Sequence, residues 1–246
     1  MDYKYKKGRD RVNFILNDKN NVEVINKVPD ENKFSYKNGF YSNVTALFVD
    51  IKDSTKLFGE NKRNSTSKII RAFTSEIIEI LNYDDNLREI GIRGDCVYAI
   101  YTCSTSEENY QIAKKAIYIN TYIKMLNEML LKKKMETINV GIGVANGKEL
   151  VIMAGREGTE ISNLVWVGEA VSHASKFSGI AGRAISDPII FSKSFYNSII
   201  NRFNSSLCLY GMSKSRKRHN AKILGVYYSC DIKIKEFNQW IDGGMK

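Results

Sequence analysis

Two aspartates stand where an acid needs a partner. Asp50 ends the apolar run Ala46-Leu47-Phe48-Val49-Asp50-Ile51, and Asp95 occupies a tight turn, Arg93-Gly94-Asp95-Cys96. A carboxylate at the edge of a buried strand is costly unless it is paired, protonated or bound to a cation. Two of them on neighbouring strands suit a hard divalent ion, Mg²⁺ or Mn²⁺, and such ions serve chemistry on a nucleoside triphosphate. The competing reading makes each aspartate a turn carboxylate that accepts from nearby backbone N–H groups. Alternation along strands gives Asp50 the companions Phe48 and Ala46, and Asp95 the companions Arg93, Gly91 and Glu89. That face offers two carboxylates, a guanidinium and a small gap at Gly91. Arg93 either contacts a base or triphosphate or pairs with Glu89. Asp53-Ser54-Thr55 read as a helix cap.

The flanking patterns supply the elements that must hold these acids. Residues 44–51 read as a buried strand and 65–82 as a helix, with apolar residues at Ile69, Phe73, Ile77 and Leu81. Residues 87–93 and 96–101 form a hairpin joined at Gly94-Asp95. A long helix follows over 106–131, then a strand over 137–145. Asn146-Gly147 predicts a turn into a second strand, 148–153, with a Gly-rich loop over 154–162. A strand over 163–167 leads to Gly168, which opens a helix to about Ser178; 183–186 read as a strand, and Asp187-Pro188 starts another helix. The tail holds strand-like runs at 206–211 and 221–229 around a basic loop, 214–220. The order βαββαβ predicts an α+β, ferredoxin-like core. Its bounds are 43–200, between a basic N-terminal extension, 1–42, and a β-rich C-terminal extension, 201–246, packed on the core.

Composition sets outer limits. The chain of 246 residues carries a formal net charge of +10, which favours anionic partners or reflects solubility alone. The clusters at 4–11 and 214–218 would serve a nucleic-acid binder, but that reading leaves the paired acids unexplained, so no nucleic acid is expected. The four cysteines lack metal-ligand spacing, and His173 and His219 are the only histidines, which argues against a His-based zinc enzyme. No signal peptide or membrane span is visible, so a cytoplasmic setting is expected.

Phe48-Val49-Asp50-Ile51-Lys52-Asp53-Ser54-Thr55 and Arg93-Gly94-Asp95-Cys96-Val97 resemble the two metal motifs of class III nucleotidyl cyclases. The resemblance continues through Val140–Gly147 and Trp166–Lys176, spanning about 44–187. It implies a class III cyclase catalytic core in which Asp50 and Asp95, with the Ile51 carbonyl, bind two Mn²⁺ or Mg²⁺ ions per site. The family's last motif ends in Asn and, four residues on, Arg. Here Ser172 and Lys176 fill those positions and inherit the roles of orienting the ribose and stabilising charge on the α-phosphate. A lysine brings a point charge in place of a fork.

Adenylate and guanylate cyclases read the purine edge at positions matching Gly91 and Val165, and neither side chain here can hydrogen-bond a base. The chain thus resembles the pyrimidine cyclases of bacterial Pycsar anti-phage systems. That resemblance implies UTP as substrate, converted to 3′,5′-cyclic UMP and pyrophosphate, with CTP as the alternative and Phe48, Gly91, Arg93 and Val165 around it. It also implies a homodimer whose sites combine both chains, and a separate effector that responds to the cyclic nucleotide. Adenylate cyclase and a catalytically inactive nucleotide-binding homologue are the alternatives.

Overall fold

The computed structural model describes residues 2–57, 62–185, 187–205, 217–221 and 224–246. Its spine is two long antiparallel strands, β2 (Asn38–Ile51) and β5 (Val140–Gly155), paired from Gly39↔Ile152 to Ile51↔Val140. Each has more length than one neighbour can cover. Along its free edge, β2 pairs first with β1 (Asn21–Val24) and later with β4 (Cys96–Tyr101), which in turn pairs with β3 (Leu87–Arg93). Likewise β5 pairs with β7 (Ile189–Ser192) and then β6 (Ser162–Gly168). The sheet continues through β9 (Gly225–Cys230) to β8 (Lys217–Ala221).

Strand periodicity divides the core between the two faces. Leu47, Val49, Ile51, Ile142 and Val144 pack against α2 (Arg63–Leu81) and α3 (Ser106–Lys132). In α2 the fourfold spacing of Ile69, Phe73, Ile77 and Leu81 makes one buried stripe, and each such side chain contributes about 1.5–3 kcal/mol. A capping box at Thr105 and Glu108 starts α3. The opposite face presents Ala46 and Ala145 to α4 (Glu169–Ile180), which contributes Ala174 and Phe177. Helix α5 (Lys193–Ser205) follows β7, and α6 (Lys235–Asp242) ends the fold. The run β2-α2-β3-β4-α3-β5 is the expected βαββαβ core.

Four local expectations are corrected. Asn146-Gly147 makes no turn, because β2 extends far enough to pair with both residues through Thr45 and Val44, so 137–153 is not two strands. Asp187-Pro188 starts no helix: the Pro188 carbonyl accepts from the Ile142 N–H at 2.8 Å, and buried β7 follows before α5 begins at Lys193. The expected strand at 183–186 is a turn bridged by Ala181 and Ile185, with residue 186 outside the described residues. Asp53 takes a left-handed φ of 51° and pairs with Lys56, and Ser54–Leu57 form a 3₁₀ turn rather than a capped α-helix. The N-terminal basic cluster lies on a helix, α1 (Tyr5–Asn17). The tail run 206–211 and residues 214–216 fall outside the described residues, while 217–220 belong to β8.

Helix α4 lies unusually close to β5. A Cβ on Gly141 would fall 2.0 Å from the Ser178 carbonyl oxygen, and one on Gly143 would fall 2.1 Å from that of Ala174. Both contacts are with backbone, which cannot swing aside. Gly143→Val is therefore expected to cost about 1–3 kcal/mol or more in urea unfolding. Stability equal to wild type would mean that α4 floats on the sheet.

Candidate active site

Strand register brings the two acids to one end of the sheet. Asp50 lies opposite Cys96, and Gly94, with a φ of +63°, makes the turn that carries Asp95 back beside β2. The Ile51 N–H donates to the Asp95 carbonyl at 3.4 Å. Burial raises the Asp50 pKa, the Asp95 charge raises it further, and Arg183 opposes both. Arg183 joins the site from the loop after α4: Nη1 is 3.4 Å from Asp50 Oδ2, and Nη2 donates to the Ile51 carbonyl at 3.4 Å. Two carboxylates and a carbonyl form a hard-oxygen donor set suited to Mg²⁺ or Mn²⁺, and a guanidinium already rests on two of those groups. Among the described residues, no group of three or more His, Cys, Asp or Glu side chains gathers as a metal cluster. Lys52 points beneath this loop. Its buried Nζ has no hydrogen-bond partner, and burial lowers its pKa to about 8, helped by the nearby Arg183 charge.

Beside Asp50 opens a pocket of about 450 Å³, lined among others by Phe48, Arg93, Tyr98, Val165 and Trp166. The Phe48 and Tyr98 rings stack with centroids 5.1 Å apart and planes 13° from parallel. The expected gap at Gly91 is not open. Gly91 lies opposite Tyr98 in the β3–β4 ladder, and a Cβ there would sit 2.3 Å from the Tyr98 ring. Glu89 does not pair with Arg93. It accepts from Tyr98 Oη and from Trp166 Nε1, each at 2.6 Å, and so braces two aromatic walls. Burial and then Glu89 push the Tyr98 hydroxyl up to about 12, so it stays protonated. The Cys96 thiol is also pushed up to about 12, by burial first and then Asp50, which removes it as a nucleophile. Arg93 and Val165 are exposed at the pocket's edge.

Helix α4 forms the other wall. It turns Val171, Ser175 and Ser178 toward the pocket, whereas Ser172 and Lys176 are exposed and absent from its lining. A single chain therefore does not line this pocket with the two α4 residues. His173 stacks on Phe177 at 5.8 Å, a packing contact. Fully buried Glu149 holds the helix start: Oε1 accepts from the N–H groups of Ala170 at 2.6 Å and Val171 at 3.3 Å. Gly168 leaves room for that carboxylate, since a Cβ there would lie 2.7 Å from Glu149 Cδ.

Sequence reasoning missed Tyr98, Trp166, Lys52, Arg183 and Glu149, and saw Glu89 without its role. Tyr98 was within reach, because it alternates onto the same strand face as Cys96. Arg183 carries no local signal, since only the path of the α4–β7 loop returns it to Asp50.

A family model described as the adenylate and guanylate cyclase catalytic domain matches residues 36–206. A protein of Treponema porcinum named uridylate cyclase is 46% identical over 245 residues, covering 100% of this chain and 83% of that protein. A second, from Gulbenkiania mobilis and also named uridylate cyclase, is 34% identical over 178 residues, 70% of this chain and 69% of that protein. The crystal structure of an adenylyl cyclase from P. aeruginosa superposes with a TM-score of 0.59 at 16% identity, covering 78% and 95% of the two chains. This last likeness concerns the fold.

Glu149 generates a pH test. Burial, and secondarily the charge of Glu169, raise its pKa above the ordinary 4.5, although its helix N–H partners pull the other way. A raised folded-state pKa means that the folded chain holds the proton more tightly. The associated stability is present below 4.5 and is lost as pH rises through the folded value. Glu149→Gln, which keeps an acceptor for the helix, should therefore gain stability relative to wild type as pH rises above 4.5 in thermal melts. Glu149→Ala should lose about 1–2 kcal/mol by leaving the helix N–H groups unpaired. A Gln–wild-type difference that does not change with pH would refute the charged, buried carboxylate.

Proposed function

The chain belongs to the adenylate and guanylate cyclase catalytic-domain family, and we propose that UTP is its substrate. It is a nucleotidyl cyclase, a phosphorus–oxygen lyase that works with a divalent metal ion. The reaction joins the ribose 3′-oxygen to the α-phosphorus, releases pyrophosphate and leaves 3′,5′-cyclic UMP. The carrying observation is the Tyr98 ring over Gly91. A purine-reading side chain at position 91 has no room, while the Phe48–Tyr98 stack offers an aromatic surface to a small base. Tyr98 commits its proton to Glu89, so toward the pocket its hydroxyl can only accept. That suits the N3–H of uracil, where cytosine carries a bare nitrogen. The names of the relatives agree with this reading.

Asp50, Asp95 and the Ile51 carbonyl would hold two Mn²⁺ or Mg²⁺ ions, which when bound would acidify the ribose hydroxyl and neutralise the triphosphate. Phe48 and Tyr98 flank the base, Val165 closes the pocket's edge, and exposed Arg93 meets the triphosphate. Ser172 orients the ribose, and Lys176 offsets charge that develops on the α-phosphate. These last two come from the partner chain of a head-to-tail homodimer, a reading supported by their outward position on α4. The cyclic product then signals to a separate cyclic-nucleotide-responsive effector in anti-phage defence.

Purified protein incubated with Mn²⁺ and each of ATP, GTP, UTP and CTP, with products read by mass spectrometry, should yield cyclic UMP predominantly. Predominant cyclic CMP would reassign the base, and cyclic AMP would discard the pyrimidine reading. Asp50→Asn and Asp95→Asn should each abolish product while keeping wild-type circular dichroism; full turnover in either would eliminate that ligand. Inactive Asp50→Asn and inactive Lys176→Ala, mixed in equal amounts, should recover about a quarter of wild-type activity, because half of the dimers then hold one intact site. No recovery after subunit exchange would place Lys176 and Asp50 in the same site of one chain.

A further inference from the structure

We propose that Arg183 is a resident counter-cation on the metal seat, which a divalent ion must displace and the substrate's triphosphate then receives. This rests on the assignment of Asp50 and the Ile51 carbonyl as metal ligands. The guanidinium touches those same two groups: Nη1 lies 3.4 Å from Asp50 Oδ2, and Nη2 lies 3.4 Å from the Ile51 carbonyl oxygen. A divalent ion bonds carboxylate and carbonyl oxygens at about 2.0–2.6 Å, so the ion and the guanidinium exclude one another. Both guanidinium contacts are long for charge-assisted hydrogen bonds. The short one, 2.8 Å from Nη1 to the Gly179 carbonyl, tethers Arg183 to the end of α4 rather than to the acid. The arrangement is a cation parked within reach of the seat and loosely held there.

Lys52 limits where the guanidinium can go. Its Nζ packs against Gly182, where a Cβ would fall only 1.9 Å away, so the space beneath the Arg183 loop already holds a positive charge. Lys52 and Arg183 also line one cavity of about 920 Å³ with Asp53 and Lys56, and Lys56 answers Asp53 at 2.8 Å. Retreat inward meets like charge, and both carboxylates lining that cavity are already paired, Asp53 with Lys56 and Glu136 with Lys62. The displaced guanidinium therefore turns outward, where a triphosphate on the metal ions offers oxygens in a geometry suited to its fork. Metal without nucleotide pays for stripping Arg183 from Asp50, while metal with nucleotide gains a new Arg183–phosphate contact. Metal and triphosphate thereby bind cooperatively, and by linkage each strengthens the other equally.

The test measures binding without turnover. Mn²⁺ affinity is read by electron paramagnetic resonance or calorimetry on wild type, Arg183→Gln and Arg183→Lys, each checked for an unchanged melting temperature. Without nucleotide, Arg183→Gln should bind Mn²⁺ about tenfold more tightly, the effect of removing one like charge at contact range. Arg183→Lys keeps the charge but cannot bridge both oxygens, and should fall between the two. With 3′-deoxy-UTP, which lacks the attacking hydroxyl, the wild-type gain in Mn²⁺ affinity should shrink about tenfold in Arg183→Gln. Unchanged or weaker Mn²⁺ binding by Arg183→Gln overturns the proposal, and so does Arg183→Lys behaving as wild type. The Mn²⁺-only arm holds even if the base is not uracil: loss of nucleotide coupling in wild type, with the Mn²⁺ shift intact, would count against UTP and the triphosphate step alone.

Discussion

Two carboxylates facing one another across a strand pair cost free energy until a cation joins them. The βαββαβ core makes that arrangement permanent. Asp50 is fixed by the ladder between β2 and β4, and Asp95 rides a two-residue turn whose conformation requires the glycine at 94. Asp50 cannot drift away without unzipping a central strand, and the Ile51 N–H on the Asp95 carbonyl holds the turn beside β2. The strain this creates is local and answered locally, by Arg183 from one side and Lys52 beneath. A site that would otherwise be a defect in the sheet becomes a seat for positive charge.

The second constraint is how closely α4 approaches β5. Gly141 and Gly143 remove the side chains that would hold the helix off, and Glu149 pins its first turn to the sheet. Together they fix the helix in height and in rotation. Rotation matters most, because the inner residues Val171, Ser175 and Ser178 line the pocket while Ser172 and Lys176 look away. One helix thus serves two surfaces, and a small error in its seating would spoil both. Burying a carboxylate to hold a helix start is an expensive device, reasonable where precision of orientation is worth more than stability.

The fold's core was legible because its signals are local. Alternation in β2, fourfold apolar spacing in α2, and Gly94-Asp95 between two β runs each name their element without help from the rest of the chain. Errors arose where a partner strand overruled local chemistry. Asn146-Gly147 favours a turn in isolation, but β2 offers ladder partners across both residues, and pairing wins. Asp187-Pro188 suits a helix start, yet its carbonyls are claimed by β5 and by Gly182. In the site, acids and strand companions were visible from alternation, whereas Arg183 arrives through a loop whose course no short pattern encodes. Gly91 shows the middle case: its smallness was legible, but the reason for it is the Tyr98 ring across the ladder.

Under the proposed function, that ring changes how a base would be selected. A reader that grasps a purine edge must project a hydrogen-bonding side chain into the pocket. Here Glu89 spends both oxygens on Tyr98 and Trp166, so the pocket's acid is used for rigidity rather than contact. On the uridylate reading, selection would fall to shape beside the accepting Tyr98 hydroxyl, with a fixed aromatic surface on one side and the close-set α4 on the other. A rigid wall rejects a larger base by steric cost, and that cost depends on the wall being unable to yield. The Glu89 brace supplies the resistance, and the height of α4, fixed by two glycines, sets the width. On that reading, size discrimination in the pocket and packing in the sheet would be consequences of the same few residues.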